Sequence, residues 1–222
     1  MARDRFGEKP FFYWSDQHKG FFFASEMKAL WSAGVEKRID EKSLLYYLAL
    51  GFTQFPNEKE RTFYSNIKTI PPAHYIKWNI KTPDFKAVNF WNIDKIFQKD
   101  PGEKEALEKF RSLFFTSVKR RLRSDVLVGT SLSGGLDSSS IVSVINNIIS
   151  TADYKSFSAV FPGYEKDESY YAKLIADKYA LENFTVKPSA DELIKNFERL
   201  MYYQEEPFTS PSVFCQFKVF DL

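Results

Sequence analysis

Residues 125–149 read DVLVGTSLSGGLDSSSIVSVINNII, and the fold turns on this stretch. DVLVGTSL is an apolar, β-branched run that predicts a strand, and SSSIVSVINNII predicts a helix. Between them lies a loop of serines and two glycines with one carboxylate and no basic residue. A strand passing tightly into a helix through such a loop aims the free amides and the positive dipole end of the helix at one point. Glycine lets the backbone approach an anion closely, so Gly134 and Gly135 suit a phosphate, with Ser133, Ser138 and Ser139 adding hydroxyl donors. Asp137 would repel that phosphate, and its functional role would be to hold a Mg²⁺ that bridges to the same oxygens. The competing reading is a flexible connector with Asp137 capping the helix. The strand directly before and the apolar helix directly after favour the binding loop.

Two other phosphate or nucleophile motifs fail on residue type. A Walker loop needs G-x-x-x-x-G-K-[ST], and residues 124–154 contain no lysine. A hydrolase elbow needs G-x-S-x-G, which GTSLSGG does not supply, and its histidine partner would have to be His18 or His74, far upstream.

Downstream, KSFSAVF, ESYYAKLIADKYA, ENFTVKP and ADELIKNFERLMYY continue the alternation of strand and helix, and Ser189 with Glu192 forms a capping box. This order predicts right-handed βαβ units and a parallel sheet covered on both faces. Upstream, EKEALEKFRSLFFTSVKRRLR places Leu107, Phe110, Phe114, Val118 and Leu122 on one helical stripe, ending in Lys119, Arg120, Arg121 and Arg123. That basic end reads as a solvated last turn favoured by the helix dipole.

QKDPG at 98–102 breaks the pattern, so the domains are placed at 1–98 and 99–222. In the first, PFFYW and FFFAS flank SDQHKG, and HYIKWNI and FKAVNFW flank KTPD, as two antiparallel hairpins. Two short helices lie between them, from an N-cap at Ser25 to Gly34 and from Asp40 to Gly51. No repeat or low-complexity tract is evident.

Composition narrows the function. The 222 residues are 44% hydrophobic and 18% aromatic, with 23 Phe and 12 Tyr, enough to bury a core. The formal charge is +2, from 31 Lys and Arg against 29 Asp and Glu, which leaves no electrostatic footprint for nucleic acid or an anionic membrane. No apolar run approaches ~18 residues, and charges fill the start of the chain where a signal peptide would be apolar, so the expectation is cytoplasmic. Cys215 is the one cysteine, and with two histidines there is no zinc cluster. In its apolar context, SVFCQFK, Cys215 reads as a buried structural thiol.

SGGLDSS in this setting resembles the pyrophosphate-binding loop of the ATP pyrophosphatase group, whose members cleave ATP between the α and β phosphates while adenylating a substrate. RDRFGEKPFFYW, FFFASEMKALW, NIKTIPPAHYIKW and RLRSDVLVGTSLSGGLDSSS, in that order, resemble glutamine-hydrolysing asparagine synthetase along essentially the whole chain. The resemblance implies an α/β fold with an α+β N-terminal part: an antiparallel sheet remnant of an N-terminal-nucleophile glutaminase domain, then a doubly wound parallel sheet of the ATP pyrophosphatase type. It implies ATP and Mg²⁺ as cofactors, with aspartate and glutamine as further small-molecule substrates. Aspartate and ATP would give β-aspartyl-AMP, which ammonia from glutamine converts to asparagine, AMP and pyrophosphate. A homodimer is compatible with it; nucleic acid and membrane are not expected partners.

Carried over by position, Ser133, Gly134, Gly135, Asp137, Ser138 and Ser139 match the pyrophosphate loop, with Asp137 matching a magnesium ligand. Leu132 and Ala159 match positions that contact adenosine, Ala159 standing where the family has a larger aliphatic residue. Acids in GYEKDES and YYQEEP lie where they could approach the acceptor, although Glu165, Asp167 and Glu168 also read as an exposed loop and helix start. The family's nucleophilic cysteine and glutamine-binding residues lie upstream of RDRFG, and a second acidic motif, SGxGxDE, would lie beyond KVFDL. The expectation is therefore an internal fragment with half of each domain and no complete catalytic set, which alone neither hydrolyses glutamine nor makes asparagine. The alternatives are a relative adenylating another carboxylate, as β-lactam-forming enzymes do, and a non-catalytic nucleotide-binding module.

Overall fold

A computed structural model describes residues 1–16, 18–55, 57–79, 85–93, 102–149 and 154–222. The chain forms two compact units, residues 1–96 with 201–209, and residues 97–200 with 210–222.

The first unit is built on antiparallel pairs. β1 (Phe12–Asp16) pairs with β2 (Gly20–Ala24) in the register Phe12 to Ala24, and with β3 (Lys68–Thr69) on its other edge. The Asp16 carboxylate accepts the amides of His18 and Lys19 at 2.8 and 2.9 Å and so shapes the first turn. β4 (His74–Ile76) pairs with β5 (Ala87–Asn89) as the second hairpin, whose KTPD turn lies outside the described residues. Alternate residues of β1 go to opposite sides. Tyr13 joins Ile70 and Ile76 in one core, while Phe12 and Trp14 pack on Met27, Leu30, Val35 and Ile67 in another.

Two helices follow the hairpin. α1 (Met27–Ser32) begins after an extended Glu26 that makes no side-chain cap, so Ser25 is not the N-cap that its residue type suggests. α2 (Glu41–Leu50) starts where expected, with the Asp40 carboxylate accepting Ser43 N at 2.8 Å, and ends on Gly51 in the left-handed region.

The second unit opens with α3 (Glu103–Arg121). Only the C-terminal half of its apolar stripe is covered: Val118 is buried and Phe114 and Leu122 pack beside it, whereas Leu107 and Phe110 are 60% and 66% exposed. The parallel sheet has the order β6 (Val128–Ser131), β7 (Tyr154–Ala159), β8 (Asn183–Val186). β6 is shorter than the apolar run suggests, and Val126 and Leu127 are exposed ahead of it. α4 (Leu136–Asn146) connects β6 to β7, and α5 (Ser169–Tyr179) connects β7 to β8. Leu132, Val142, Val144, Ile145, Tyr154, Ala172, Ala176 and Leu181 form the core with Val118.

α6 (Ala190–Gln204) starts on the expected box, Glu192 N donating to Ser189 Oγ and Ser189 N donating to the Glu192 carboxylate. A further helix, α7 (Ser212–Phe220), packs on β7 and β8; the apolar run SVFCQFK gives no strand-or-helix signal of its own at that length. Arg199 clasps Asp221 through both guanidinium nitrogens at 3.0 and 2.8 Å, and Lys218 pairs with Glu192 at 3.1 Å, tying α6 to α7. Among the described residues no helix is long and apolar enough to cross a membrane.

Candidate nucleotide-binding loop

The root of the loop is clamped before the loop begins. Leu132 N donates to Phe157 O at 2.8 Å, and the buried Ser158 hydroxyl donates to Leu132 O, so the residue at the end of β6 is locked to β7. The Leu132 side chain is fully buried in the helix-covered core, which leaves its backbone to face the cleft beyond. Gly129 is needed earlier in β6, because a Cβ there would stand 2.7 Å from the Phe157 ring.

The loop then folds on its own hydroxyls. Ser133 and Ser138 bring their Oγ atoms to 3.0 Å, Gly135 N donates to Ser133 Oγ at 3.3 Å, and Ser139 Oγ donates to Gly134 O at 3.3 Å. Gly134 has φ +96°, and a Cβ on it would fall well inside contact of Glu168 O and 2.9 Å from Ala172 N. Only glycine therefore lets the loop lie against the start of α5. Gly135 is the N-cap of α4 and carries no side chain to satisfy the helix, so the first-turn amides of Leu136, Asp137 and Ser138 have no intrahelical partner. Asp137 is exposed in that turn and makes no hydrogen bond or ion pair among the described residues.

A cleft of about 210 Å³ opens beside the loop, lined by Ser131, Leu132 and Ser133, by Phe157, Ser158 and Ala159 of β7, by Lys166, Asp167 and Glu168, and by Cys215 and Gln216 of α7. It lies at the carboxyl ends of parallel strands, where open α/β sheets bind ligands. The structure thus brings Ser133, Gly134, Gly135, Asp137, Ser138, Ser139, Leu132 and Ala159 to one end of one sheet.

Two residues there were not singled out from the sequence, and a third was weighed only as an acid near the acceptor or a helix start. Lys166 supplies a cation to a loop that has none of its own. Glu168, read as a helix start, also lies against the loop. Gln216 arrives on α7, and none of the three carries a local signal, since each depends on how the chain returns to the cleft. Asp167 braces the turn itself. Its carboxylate accepts Phe161 N and Ser169 N at 3.1 Å each and Ser169 Oγ at 2.7 Å, and the Ser169 bonds hold it below the usual carboxylate range. Cys215 is half-buried, its thiol pushed up by burial and directed at Pro211 O, which makes it a poor nucleophile.

The acids of YYQEEP belong to the first unit and serve its backbone. Glu205 accepts Met27 N at 2.8 Å and Lys28 N at 2.7 Å, and pairs with Lys28 Nζ at 3.2 Å. Glu206 accepts Phe63 N at 2.8 Å, and burial raises its carboxyl above the ordinary range. RDRFG is also structural. Asp4 accepts the amides of Phe6, Glu8 and Lys9, led by Lys9, and is held at about 2, while Arg3 donates to the carbonyls of Gly7, Lys9 and Ile70 and to Thr69 Oγ1.

Among the described residues no group of three or more His, Cys, Asp or Glu could hold a metal by protein ligands alone. Asp137 in the first turn of α4 and Glu168 beside the loop still suit magnesium, a hard ion that uses one or two carboxylates and fills its shell with water and phosphate oxygens.

Residues 109–222 match the asparagine synthase family model, and residues 1–91 match the glutamine amidotransferase domain. The chain belongs to the asparagine synthase family. It is 30% identical to asparagine synthetase (glutamine-hydrolysing) 2 of Bacillus subtilis over 98% of this chain and 30% of that protein. Asparagine synthetase (glutamine-hydrolysing) 1 of the same organism is 30% identical over 95% of this chain and 32% of its own length. Amidase chry2 of Gibberella zeae is 28% identical over 93% of this chain and 32% of its own length. The chain thus spans about a third of the length of these three relatives.

Proposed function

We propose that this chain carries the pyrophosphate-binding loop of a glutamine-hydrolysing asparagine synthase, in which ATP adenylates the β-carboxylate of aspartate and ammonia from glutamine displaces AMP. The carrying observation is the loop: a strand locked at its root, two glycines, and the open N-terminus of α4 with an acid in its first turn and no lysine. On this reading the ATP pyrophosphatase type of sheet, with its helices wound on both faces, occupies residues 99–222, and residues 1–98 are the later part of the glutaminase domain.

The absence of a loop lysine suits chemistry at the α-phosphorus. As the aspartate carboxylate oxygen bonds to phosphorus and the bond to the β-phosphate oxygen breaks, negative charge grows on departing pyrophosphate. The amides of residues 136–138 and the hydroxyls of Ser133, Ser138 and Ser139 are preorganised donors for that charge. Magnesium, when bound, would neutralise phosphate charge from Asp137. Lys166 adds a cation to the lining of the cleft. Ala159, half-buried at the end of β7, and the Leu132 backbone would flank the adenosine.

ATP, aspartate and glutamine are the inferred substrates, and a cytoplasmic homodimer the inferred setting. The relative named an amidase supports a second reading, in which the adenylated carboxylate is other than aspartate.

Titration calorimetry of the chain with Mg-ATP tests the loop. Binding is expected, with Asp137→Ala weakening it at least tenfold and removal of Mg²⁺ by a chelator having a similar effect. Unchanged affinity in both would overturn the reading.

A further inference from the structure

The loop has an acidic neighbour that its own sequence does not supply. After β7 the chain runs through residues 160–168 and returns to the loop at Glu168, the residue before α5. There the Glu168 carbonyl closes against Gly134, and its carboxylate oxygen Oε2 lies 3.5 Å from where a Cβ on Gly135 would stand. Asp167 fixes this return by binding both Phe161 N and Ser169 N, so the approach of Glu168 is set by a braced turn. The Glu168 carboxylate itself is exposed, lines the cleft, and makes no hydrogen bond or ion pair among the described residues.

An acid in that position works against the rest of the site. Helix amides, hydroxyls and Lys166 favour an anion, whereas Glu168 beside the loop and Asp137 in the first turn of α4 oppose it. Like-charge contacts at a partly exposed site offset much of what the amide donors return. The conflict disappears when a divalent cation arrives with the anion, because two carboxylates then face a positive centre.

We propose that Glu168 is a specificity-determining residue that makes anion capture by the loop conditional on a divalent cation, so that the loop accepts magnesium pyrophosphate or Mg-ATP and rejects the bare anion. This rests on reading the loop as a pyrophosphate site. Glu168 acts with Asp137, one acid from the loop's own helix and one from the turn opposite. A polyphosphate is thereby selected in its metal complex, the form in which adenylation can proceed.

The experiment measures dissociation constants of inorganic pyrophosphate for the full chain, with Mg²⁺ and with a chelator, and takes their ratio. The wild type is expected to prefer the magnesium complex by at least tenfold. Glu168→Gln, isosteric and exposed, is expected to lower that preference at least fivefold, strengthening bare pyrophosphate while weakening the complex. Glu165→Gln removes the same charge from the same turn without facing the cleft, and is expected to leave the ratio within twofold. Equal ratios in wild type and Glu168→Gln, with magnesium pyrophosphate still bound, overturn this inference alone, as does an equal response to Glu165→Gln. Failure of the wild type to bind magnesium pyrophosphate at all overturns the loop reading and this inference together. If Glu168 served only the dipole of α5, Glu168→Gln would shift thermal stability slightly and leave the ratio fixed, which also overturns it.

Discussion

Gly134 and Gly135 sit side by side and carry different constraints. Gly134 has φ +96° and meets the Glu168 carbonyl, so Gly134→Ala combines left-handed strain with a backbone collision and is expected to destabilise the second unit by about 2 to 4 kcal/mol. Gly135 is extended at φ −65°, and its added Cβ would make only ordinary contacts at 3.4 and 3.5 Å, so Gly135→Ala is expected to cost within about 1 kcal/mol. Urea midpoints of the two variants check the contrast. Gly135→Ala would still narrow the approach of an anion, since a methyl group points where the backbone was bare. Residue chemistry of this kind was legible beforehand: glycine and serine in one loop specify backbone and hydroxyl donors by type alone. Glu168 was weighed as an acid near the acceptor, but its contact with this loop was not legible, because it depends on a turn braced by Asp167 some thirty residues later. Ala159 was legible as a strand end, although a methyl group says little about what it contacts.

Among the elements, α1 shows how a helix end can be completed from afar. Six residues cannot hold a helix by propensity, and Glu26 does not cap its own start. Glu205 does so by accepting the first two amides while pairing with Lys28, its side chain only 6% exposed. Glu205→Ala removes two charge-assisted bonds and leaves Lys28 with the exposed Glu26, and is expected to destabilise the first unit by about 2 kcal/mol, read by thermal unfolding. Glu206, beside Glu205, responds to pH. Burial raises its folded-state carboxyl above the unfolded value, so its contribution to stability is full below the unfolded value and is lost as pH rises through the folded one. Glu206→Gln, which can still accept Phe63 N, is expected to match wild type near pH 4 and exceed it near pH 8, by thermal midpoints at both. The misplaced start of α1 has the same origin, since Ser25 is a good cap by type and the actual cap is 178 residues away. α3 was legible as a helix from its stripe, but which half of that stripe is covered depends on the sheet that packs against it.

Over the whole molecule, the alternation of strand and helix from residue 125 onward sufficed to read the parallel sheet, because each element there is bounded by its own turn chemistry. The membership of residues 201–209 in the first unit had no such signal. Their contacts are hydrogen bonds to residues far back in the sequence: Glu205 and Glu206 to three amides, Tyr64 Oη to Glu205 O at 3.1 Å, and Tyr47 Oη to Phe208 O at 2.8 Å. A chain ending at residue 200 is therefore expected to lose protection at the amides of Met27, Lys28 and Phe63 in hydrogen exchange, beyond the loss from Glu205→Ala alone. Unchanged protection there would show these bonds to be dispensable. The same feature sets a schedule on the ribosome. The separation of 178 residues between Met27 and Glu205, at roughly 5 to 20 residues per second, is an interval of about 9 to 36 seconds. For that time a nascent α1 has no acceptor for its leading amides. α1 thus waits, incomplete, for a segment made well after it, and chaperone contacts in cells would fall in that window.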